Sequence, residues 1–386
     1  MKILWANLHC LSDTTNGACR SISTILNKLA QKDNEIIAVT AANFDVLTTC
    51  PVTQYFAKKT DKQLVRYEHS NFTEIVMKSG SARSDDMTNK ELWGWLTQVQ
   101  RVFNEWQPDI VMSFGARVAE QWLYREAKLL NIPTVAYLVN ENYKNPNCFN
   151  YVSKIITDSQ FTANLYRTRH DLTVHPFGKF IDYEMRREPS SGHSLTFINP
   201  ILTKGALLFS QIVQVLRERG FTGNINCVSG RASLVNLKNY MIEKGYSVDH
   251  LNTVTQVDHT DDVRSIYRDT KLLIVPSLWK ESGARVIAEA QCMGIPVLGT
   301  DIGGNKEMIG DGGAVFQMPT KFHEEPYDLV PNKNDIEPFV DYIENLFTDS
   351  SLFNDIANKA ILHAERTHCI ERNTERLNKF LNQVLR

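Results

Sequence analysis

Glu281 and Glu289 stand eight residues apart in the segment 276–304, PSLWKESGARVIAEAQCMGIPVLGTDIGG. Residues 271–277 (KLLIVPS) and 295–300 (IPVLGT) have the continuous apolar character of buried parallel strands. Between them Val286, Ile287, Ala290 and Met293 recur at helical spacing, so the unit reads strand, loop, helix, strand. If the backbone turns helical near Ser282, the N–H groups of Ser282, Gly283, Ala284 and Arg285 point out of the helix N-terminus, where an anion such as a diphosphate is favoured. Eight helical steps rise about 12 Å, which sets the two glutamates on either side of that anion. Carboxylates accept hydrogen bonds from sugar hydroxyls. Two of them beside a phosphate nest suit a nucleotide sugar, with the ribose at one and the transferred sugar at the other. Taken singly, Glu289 also fits a polar position on an amphipathic helix, and Glu281 a charge favourable to the helix dipole.

Lys204 lies just after one strand pattern and just before a helical one. A cation at the positive end of a helix is mildly unfavourable without an anion to meet. Its ammonium is placed to reach the anion held by those amides and to neutralise a leaving diphosphate.

The elements that must position these residues alternate along the whole chain. Strand patterns occur at 2–8, 35–42, 74–78, 109–114, 134–139 and 154–157, then at 194–199, 224–228 and 253–257 before the two already named. Amphipathic helical stretches, such as 21–30 and 205–219, separate them, which predicts parallel α/β units in doubly wound sheets. A length of 386 residues exceeds one ordinary core and suits two domains. The Pro, Ser and Gly content of 183–193 marks a linker between residues 1–182 and 194–350. In such sheets ligands sit beyond the carboxyl ends of the strands, so two domains facing each other create a cleft. The polar stretch 79–89 reads as a mobile loop on the side facing the other domain, and 319–334 as an irregular surface excursion. Helices are expected at 338–346 and about 352–385.

A formal net charge of −2 carries no basic excess, which argues against nucleic acid and other polyanions as partners. No apolar run of membrane-spanning length and no signal-peptide core is visible, so a cytoplasmic protein is expected, with peripheral membrane contact left open. The seven cysteines are scattered without a C-x-x-C pair and read as reduced thiols, not a disulfide framework or a zinc site. The histidines are equally dispersed. No metal and no cofactor is expected.

The spacing of Glu281 and Glu289, the following Gly294-Ile295-Pro296-Val297 and the Gly303-Gly304 turn resemble the E-x₇-E signature of retaining glycosyltransferases of family 4, the glycosyl transferases group 1. The resemblance extends through most of the chain. Asn16-Gly17-Ala18 is similar to the family's glycine-containing first turn, Pro108-Asp109-Ile110-Val111 to its P-D strand, and Ile132-Pro133-Thr134-Val135 to the next one. Residues 155–159 (IITDS) and 175–182 (HPFGKFID) resemble the last elements of the first domain, and Thr203-Lys204-Gly205 the K-G that opens the second. The fold implied is α/β with GT-B architecture: two Rossmann-like doubly wound domains facing an interdomain cleft. In the family a terminal helix, here within 351–386, crosses back to the first domain, with Phe380, Leu381, Val384 and Leu385 available for that contact.

The activity implied is metal-independent, retaining transfer of a sugar from a nucleotide diphosphate sugar, UDP being the first choice, to a hydroxyl acceptor in glycan, glycolipid or glycoconjugate synthesis. Lys204 and Glu281 take the catalytic roles. Gly17, Asn199, Gly205, Gly230, Arg231, Ser282, Gly283, Ala284, Arg285 and Glu289 form the donor set. Two departures from the pattern stand out. Asn199 occupies the place, five residues before Lys204, where an arginine is expected, so either the second diphosphate charge comes from elsewhere, with Arg231 and Arg285 as candidates, or the site is weaker. Arg285 alternatively pairs with a surface carboxylate. Asn140 and Glu141 replace the expected strand-end histidine, and His9 and Asp13 lie at another strand end within reach of the acceptor or sugar. The alternatives are a nucleotide-sugar epimerase of the same fold and a non-catalytic two-lobed sugar-binding regulator.

Overall fold

The computed structural model describes residues 1–13, 16–44, 63–80, 83–182, 192–260 and 262–386. The chain divides into two compact units, residues 1–180 with 370–386 and residues 181–369. Residues 183–191, most of the expected linker, lie outside the described residues.

In the first unit the strands are β1 (Lys2–Ala6), β2 (Glu35–Ala41), β3 (Leu64–Glu68), β4 (Thr73–Met77), β5 (Ile110–Phe114), β6 (Thr134–Leu138), β7 (Lys154–Thr157) and β8 (Val174–Pro176). Its helices are α1 (Gly17–Ala30), α2 (Asn89–Glu105), α3 (Val118–Leu129) and α4 (Gln160–His170). The sheet order is β3-β4-β2-β1-β5-β6-β7-β8, parallel except for the antiparallel edge pair β3/β4. β5 and β6 are buried at every position, as strands covered on both faces must be. One apolar layer holds Trp95, Val99, Leu123, Tyr124 and Tyr166 of α2, α3 and α4. The other holds Ile22, Ile25 and Leu29 of α1. The parallel strands run outward from β1 to β2 and β4 on one side, with β3 added at the edge, and from β5 to β8 on the other, so the topological switch point lies between β1 and β5.

The second unit repeats the plan with β9 (Ser194–Ile198), β10 (Asn224–Val228), β11 (Thr255–Val257), β12 (Thr270–Val275), β13 (Val297–Thr300) and β14 (Gly313–Phe316). Its helices are α5 (Ala206–Glu218), α6 (Leu234–Glu243), α7 (Arg264–Asp269), α8 (Arg285–Cys292), α9 (Asn305–Ile309), α10 (Lys333–Thr348) and α11 (Ser350–Thr367). The order β11-β10-β9-β12-β13-β14 is wholly parallel and puts its switch point between β9 and β12. α5 and α10 fill one face with Leu208, Phe209, Ile212, Phe339 and Ile343, and α8 fills the other with Ile287, Ala288 and Ala290. The last helix, α12 (Ile370–Val384), belongs to the first unit. There Leu377 and Leu381 are buried, and Phe380 rests on His175 and Phe177.

Three expected boundaries are corrected. The helix expected over about 352–385 is two, because the His368 carbonyl accepts from the Ile181 N–H (3.0 Å) and Cys369 bridges to Ile181, which interrupts the helical ladder. The expected final segment 351–386 is accordingly shared, with α11 in the second unit and α12 in the first. The helix expected from Pro338 begins at Lys333, where Asn332 and Asp335 form a capping box, and Pro338 sits inside it. Within 79–89, residues 81 and 82 are not described; Ser84–Asp86 forms a short 3₁₀ turn tied by Arg117 to Ser84 (2.6 Å) and Asp85 (2.9 Å).

Candidate active site

The second unit's site is built where the loops after β9 and β12 meet. The Thr203 carbonyl accepts from the N–H groups of Leu278 (3.0 Å) and Trp279 (3.2 Å), joining the two loops through backbone. Gly205 makes that approach possible: its φ is +79°, and a Cβ there would stand 1.9 Å from the Pro276 carbonyl oxygen. Lys204 Nζ then donates to Glu281 Oε1 at 2.5 Å across the switch point, and Ser277 Oγ donates to the same oxygen at 2.6 Å. The Thr300 hydroxyl in turn holds the Ser277 carbonyl. Glu281 is buried, whereas the Lys204 side chain is 30% exposed.

The helix after Glu281 starts later than the sequence suggests. α8 begins at Arg285 with Ala284 as its N-cap, so Ser282, Gly283 and Ala284 precede it. Gly304 explains the difference: its N–H donates to the Glu281 carbonyl at 2.7 Å, taking the acceptor that a helical Arg285 N–H would need. Gly303 permits the close turn, since at φ +61° a Cβ would lie 2.5 Å from the Glu281 oxygen. Only the second half of the step from Glu281 to Glu289 is therefore helical. The helix N-terminus still opens at the carboxyl edge of β12, with Ser282 and Ala284 buried and Gly283 half-buried before it.

Glu289 lies one turn into α8 and is buried. Its Oε1 accepts from Arg285 Nε (2.7 Å) and its Oε2 from the Tyr267 hydroxyl (3.0 Å). Arg285 thus pairs with the other member of the motif, not with a surface carboxylate. The carboxylate is thus clamped at both oxygens, one turn from the helix N-terminus.

Asn199 takes the left-handed conformation at the end of β9, with φ +65°. Its Oδ1 accepts from the Arg231 N–H at 2.9 Å, and a Cβ at Gly230 would come 2.8 Å from its side chain, so the two strand ends are locked together. Arg231 itself is exposed.

In the first unit the expected residues are spread over two strand ends. His9 follows β1, where its N–H donates to Asn7 Oδ1 (3.1 Å); Asp13 is buried nearby. Asn140 and Glu141 follow β6: Asn140 Oδ1 accepts from the Asn142 N–H (3.0 Å), and Glu141 pairs with Arg169 at 3.3 Å. Gly17 opens α1, capped by Asn16, and a Cβ there would meet nothing within 4 Å. Ser277, Thr300 and Tyr267 went unselected in the sequence. Ser277 and Thr300 each end an apolar strand pattern, and a polar residue at a strand's carboxyl end is the signal that would have found them.

Residues 201–363 match the family model described as Glycosyl transferases group 1. That match lies wholly within the second unit. A curated relative, the putative glycosyltransferase YtcC of Bacillus subtilis (strain 168), is 28% identical over 137 residues, which span 36% of this chain and 30% of the relative, about a third of its length. Among solved structures, a glycosyltransferase from Rickettsia africae ESF-5 matches with a TM-score of 0.72 at 14% identity, covering 100% of this chain and 98% of its own. Sucrose-phosphate synthase from Thermosynechococcus elongatus matches at 0.70 and 11% identity, covering 99% and 98%. Anabaena Alr3699/HepE, solved in complex with UDP and glucose, matches at 0.68 and 13%, covering 99% and 100%. The fold is that of the GT-B glycosyltransferases.

Proposed function

We propose that the protein is a retaining, metal-independent glycosyltransferase that moves a sugar from a nucleotide diphosphate sugar, UDP-linked in the first instance, to a hydroxyl acceptor. The observation that carries this reading is the Lys204–Glu281 pair across the β9/β12 switch point, beside the N-terminus of α8 in a group 1 glycosyl transferase domain. Lys204 and the helix N-terminus meet the diphosphate; Glu289, clamped by Arg285 and Tyr267, receives the ribose hydroxyls; Glu281 orients the reacting sugar. UDP and glucose bound to the Anabaena protein support UDP as the nucleotide here.

In the reaction, the acceptor oxygen bonds to the anomeric carbon as that carbon's bond to the diphosphate oxygen breaks. The acceptor's proton passes to the departing phosphate oxygen on the same face. Stabilisation of the developing diphosphate charge does most of the work, so no dedicated protein base is required. Asn140, Glu141, His9 and Asp13 supply the acceptor side, and the product belongs to glycan, glycolipid or glycoconjugate synthesis. Among the described residues no helix is long and apolar enough to cross a membrane; we place the enzyme in the cytoplasm.

The test is a thermal-shift comparison of UDP, GDP, ADP and dTDP, followed by turnover of the matching sugar nucleotides with and without hydroxyl acceptors. Ligands that bind only the folded state raise the melting temperature with their concentration over Kd. UDP should give the largest shift, and its release from UDP-sugars should depend on acceptor. Epimerised sugar nucleotide without acceptor dependence would replace this reading with that of an epimerase. Binding without turnover would make the chain a sugar-binding regulator.

A further inference from the structure

We infer that Glu120 is a positioning residue of the first unit: it reaches across the β1/β5 switch point to Asn7 and through Asn7 holds the backbone at His9. The linkage stands on geometry; its consequence for acceptor use rests on the function proposed above.

Glu120 lies in the first turn of α3 and is buried, as are Asn7 and Ser113. Its Oε2 accepts from the N–H of the N-cap residue Arg117 at 2.9 Å, and its Oε1 accepts from Asn7 Nδ2 at 3.0 Å. The same Nδ2 stands 3.3 Å from Ser113 Oγ, and Asn7 Oδ1 accepts from the His9 N–H at 3.1 Å. The directions in this chain are forced from both ends. A backbone N–H only donates, so His9 requires the Asn7 carbonyl oxygen, which turns the Asn7 amino group toward Glu120. Arg117 presents a second donor to the other carboxylate oxygen. An ionised Glu120 therefore meets a donor at each oxygen.

Protonation breaks this pattern. A proton on either oxygen sets an O–H against an N–H and removes one of the two bonds. With the proton on Oε1, Asn7 recovers its contact only by turning its amide, which strips the His9 N–H of its acceptor; with the proton on Oε2, the Arg117 N–H loses its acceptor and the helix turn that carries Glu120 is released. Burial, the largest influence, pushes the Glu120 carboxyl up to about 7, against the lowering effect of the Arg117 backbone and guanidinium. Asp85, which Arg117 engages, raises it slightly further. The remaining titratable neighbours, Tyr124 and Tyr143, are themselves pushed above the ordinary phenol value by burial and by Glu120, and stay neutral in this range. The strand end at His9 is thus ordered above neutral pH and loosened below it.

The experiment is amide hydrogen exchange in the full chain, read at residues 7–13 near pH 6 and near pH 8 after correction for intrinsic rates. It is run on the wild type and on Glu120→Gln, alongside the pH profile of UDP-glucose turnover and the thermal shift given by UDP. Glutamine keeps the shape but offers one acceptor, as the protonated acid does. Wild-type protection should fall about tenfold from the higher to the lower pH, the size of one lost hydrogen bond, and the variant should be weakly protected at both. Turnover should lose its inflection near neutral pH in the variant while the UDP shift is unchanged. Equal wild-type protection at the two pH values overturns the inference without needing a variant, and so does a Gln variant with the wild-type pH step. A wild type that turns over no UDP-sugar would count against the proposed function alone, since the exchange comparison still decides the role of Glu120.

Discussion

Lys204 and Glu281, 77 residues apart, form a 2.5 Å ion pair that ties together the two loops flanking the second unit's switch point. The pair is asymmetric: the carboxylate is buried and also accepts from Ser277, whereas the ammonium is part-exposed at the end of a long side chain. Under the proposed function, an arriving diphosphate is expected to compete for the lysine and not for the glutamate. The Ser277 hydroxyl bond would keep Glu281 in place if Lys204 turned to the leaving group in that reaction.

Lys204→Ala is expected to lower transfer by one to a few orders of magnitude, the ~3–4 kcal/mol associated with losing one preorganised donor to developing charge. The fold should persist, because Glu281 retains Ser277 as a donor. A variant with wild-type kcat/KM would remove Lys204 from the reaction.

Glu281 and Glu289 should separate by role. Glu281→Ala is expected to lower kcat strongly, and Glu289→Ala chiefly to weaken nucleotide binding. The measurement is the affinity for bare UDP, which lacks the hexose. Equal weakening by the two substitutions would contradict the division. Glu289→Ala also frees Arg285 and Tyr267 from their shared acceptor, so some loss of thermal stability is expected alongside.

The central strands were legible because a strand buried on both faces is predominantly apolar, as in the IVM of β5 and the LLIV of β12. β3 was not, since LVRYE lies at an antiparallel edge with only Val65 buried. Nor was β14, whose four residues are all half-buried. In the site, the residue types of Lys204, Glu281 and Glu289 were readable, but the start of α8 was not. That start is set by Gly304 taking the Glu281 carbonyl, a contact between residues 23 apart with no local signal. The Asn7–Glu120 bond spans 113 residues and belongs to the topology, not to any motif.

Gly205→Ala tests the approach of the two loops. At φ +79° an alanine costs roughly 1–2 kcal/mol from backbone conformation alone. The overlap with the Pro276 carbonyl adds to this and pushes Lys204 away from Glu281. Gly220→Ala is the control, because Gly220 has φ +84° but open space around it. Both variants should melt lower than the wild type, with Gly205→Ala the lower of the two and the only one to lose activity. Equal melting points and equal rates would show that the close contact at Pro276 is dispensable.

Glu120 should leave a mark on stability as well as on exchange. Its folded value of about 7 exceeds the ordinary 4.5, so between those values the native state binds more protons than the unfolded chain. Stability from this group therefore falls as pH rises through that window and is level above it, with a span of roughly 3 kcal/mol at most. Urea unfolding of wild type and Glu120→Gln at several pH values checks this. The difference between the two should change across the window; a constant difference would show that the buried carboxyl titrates normally.

The final expectation joins charge and stereochemistry. In the proposed reaction, positive potential at the diphosphate would come from Lys204 and the N-terminus of α8, with the locked Asn199–Arg231 strand end bringing a further arginine to the neighbouring strand. Transfer should therefore persist in EDTA. With the leaving oxygen taking the acceptor's proton, attack occurs on the face from which the diphosphate departs, and product NMR should show the donor's anomeric configuration retained. An inverted product would require a base on the opposite face and would end the retaining assignment. Activity abolished by EDTA and restored by Mn²⁺ would show that Lys204 and the helix N-terminus do not suffice, and that Asn199 stands where the site gave up a charge it still needs.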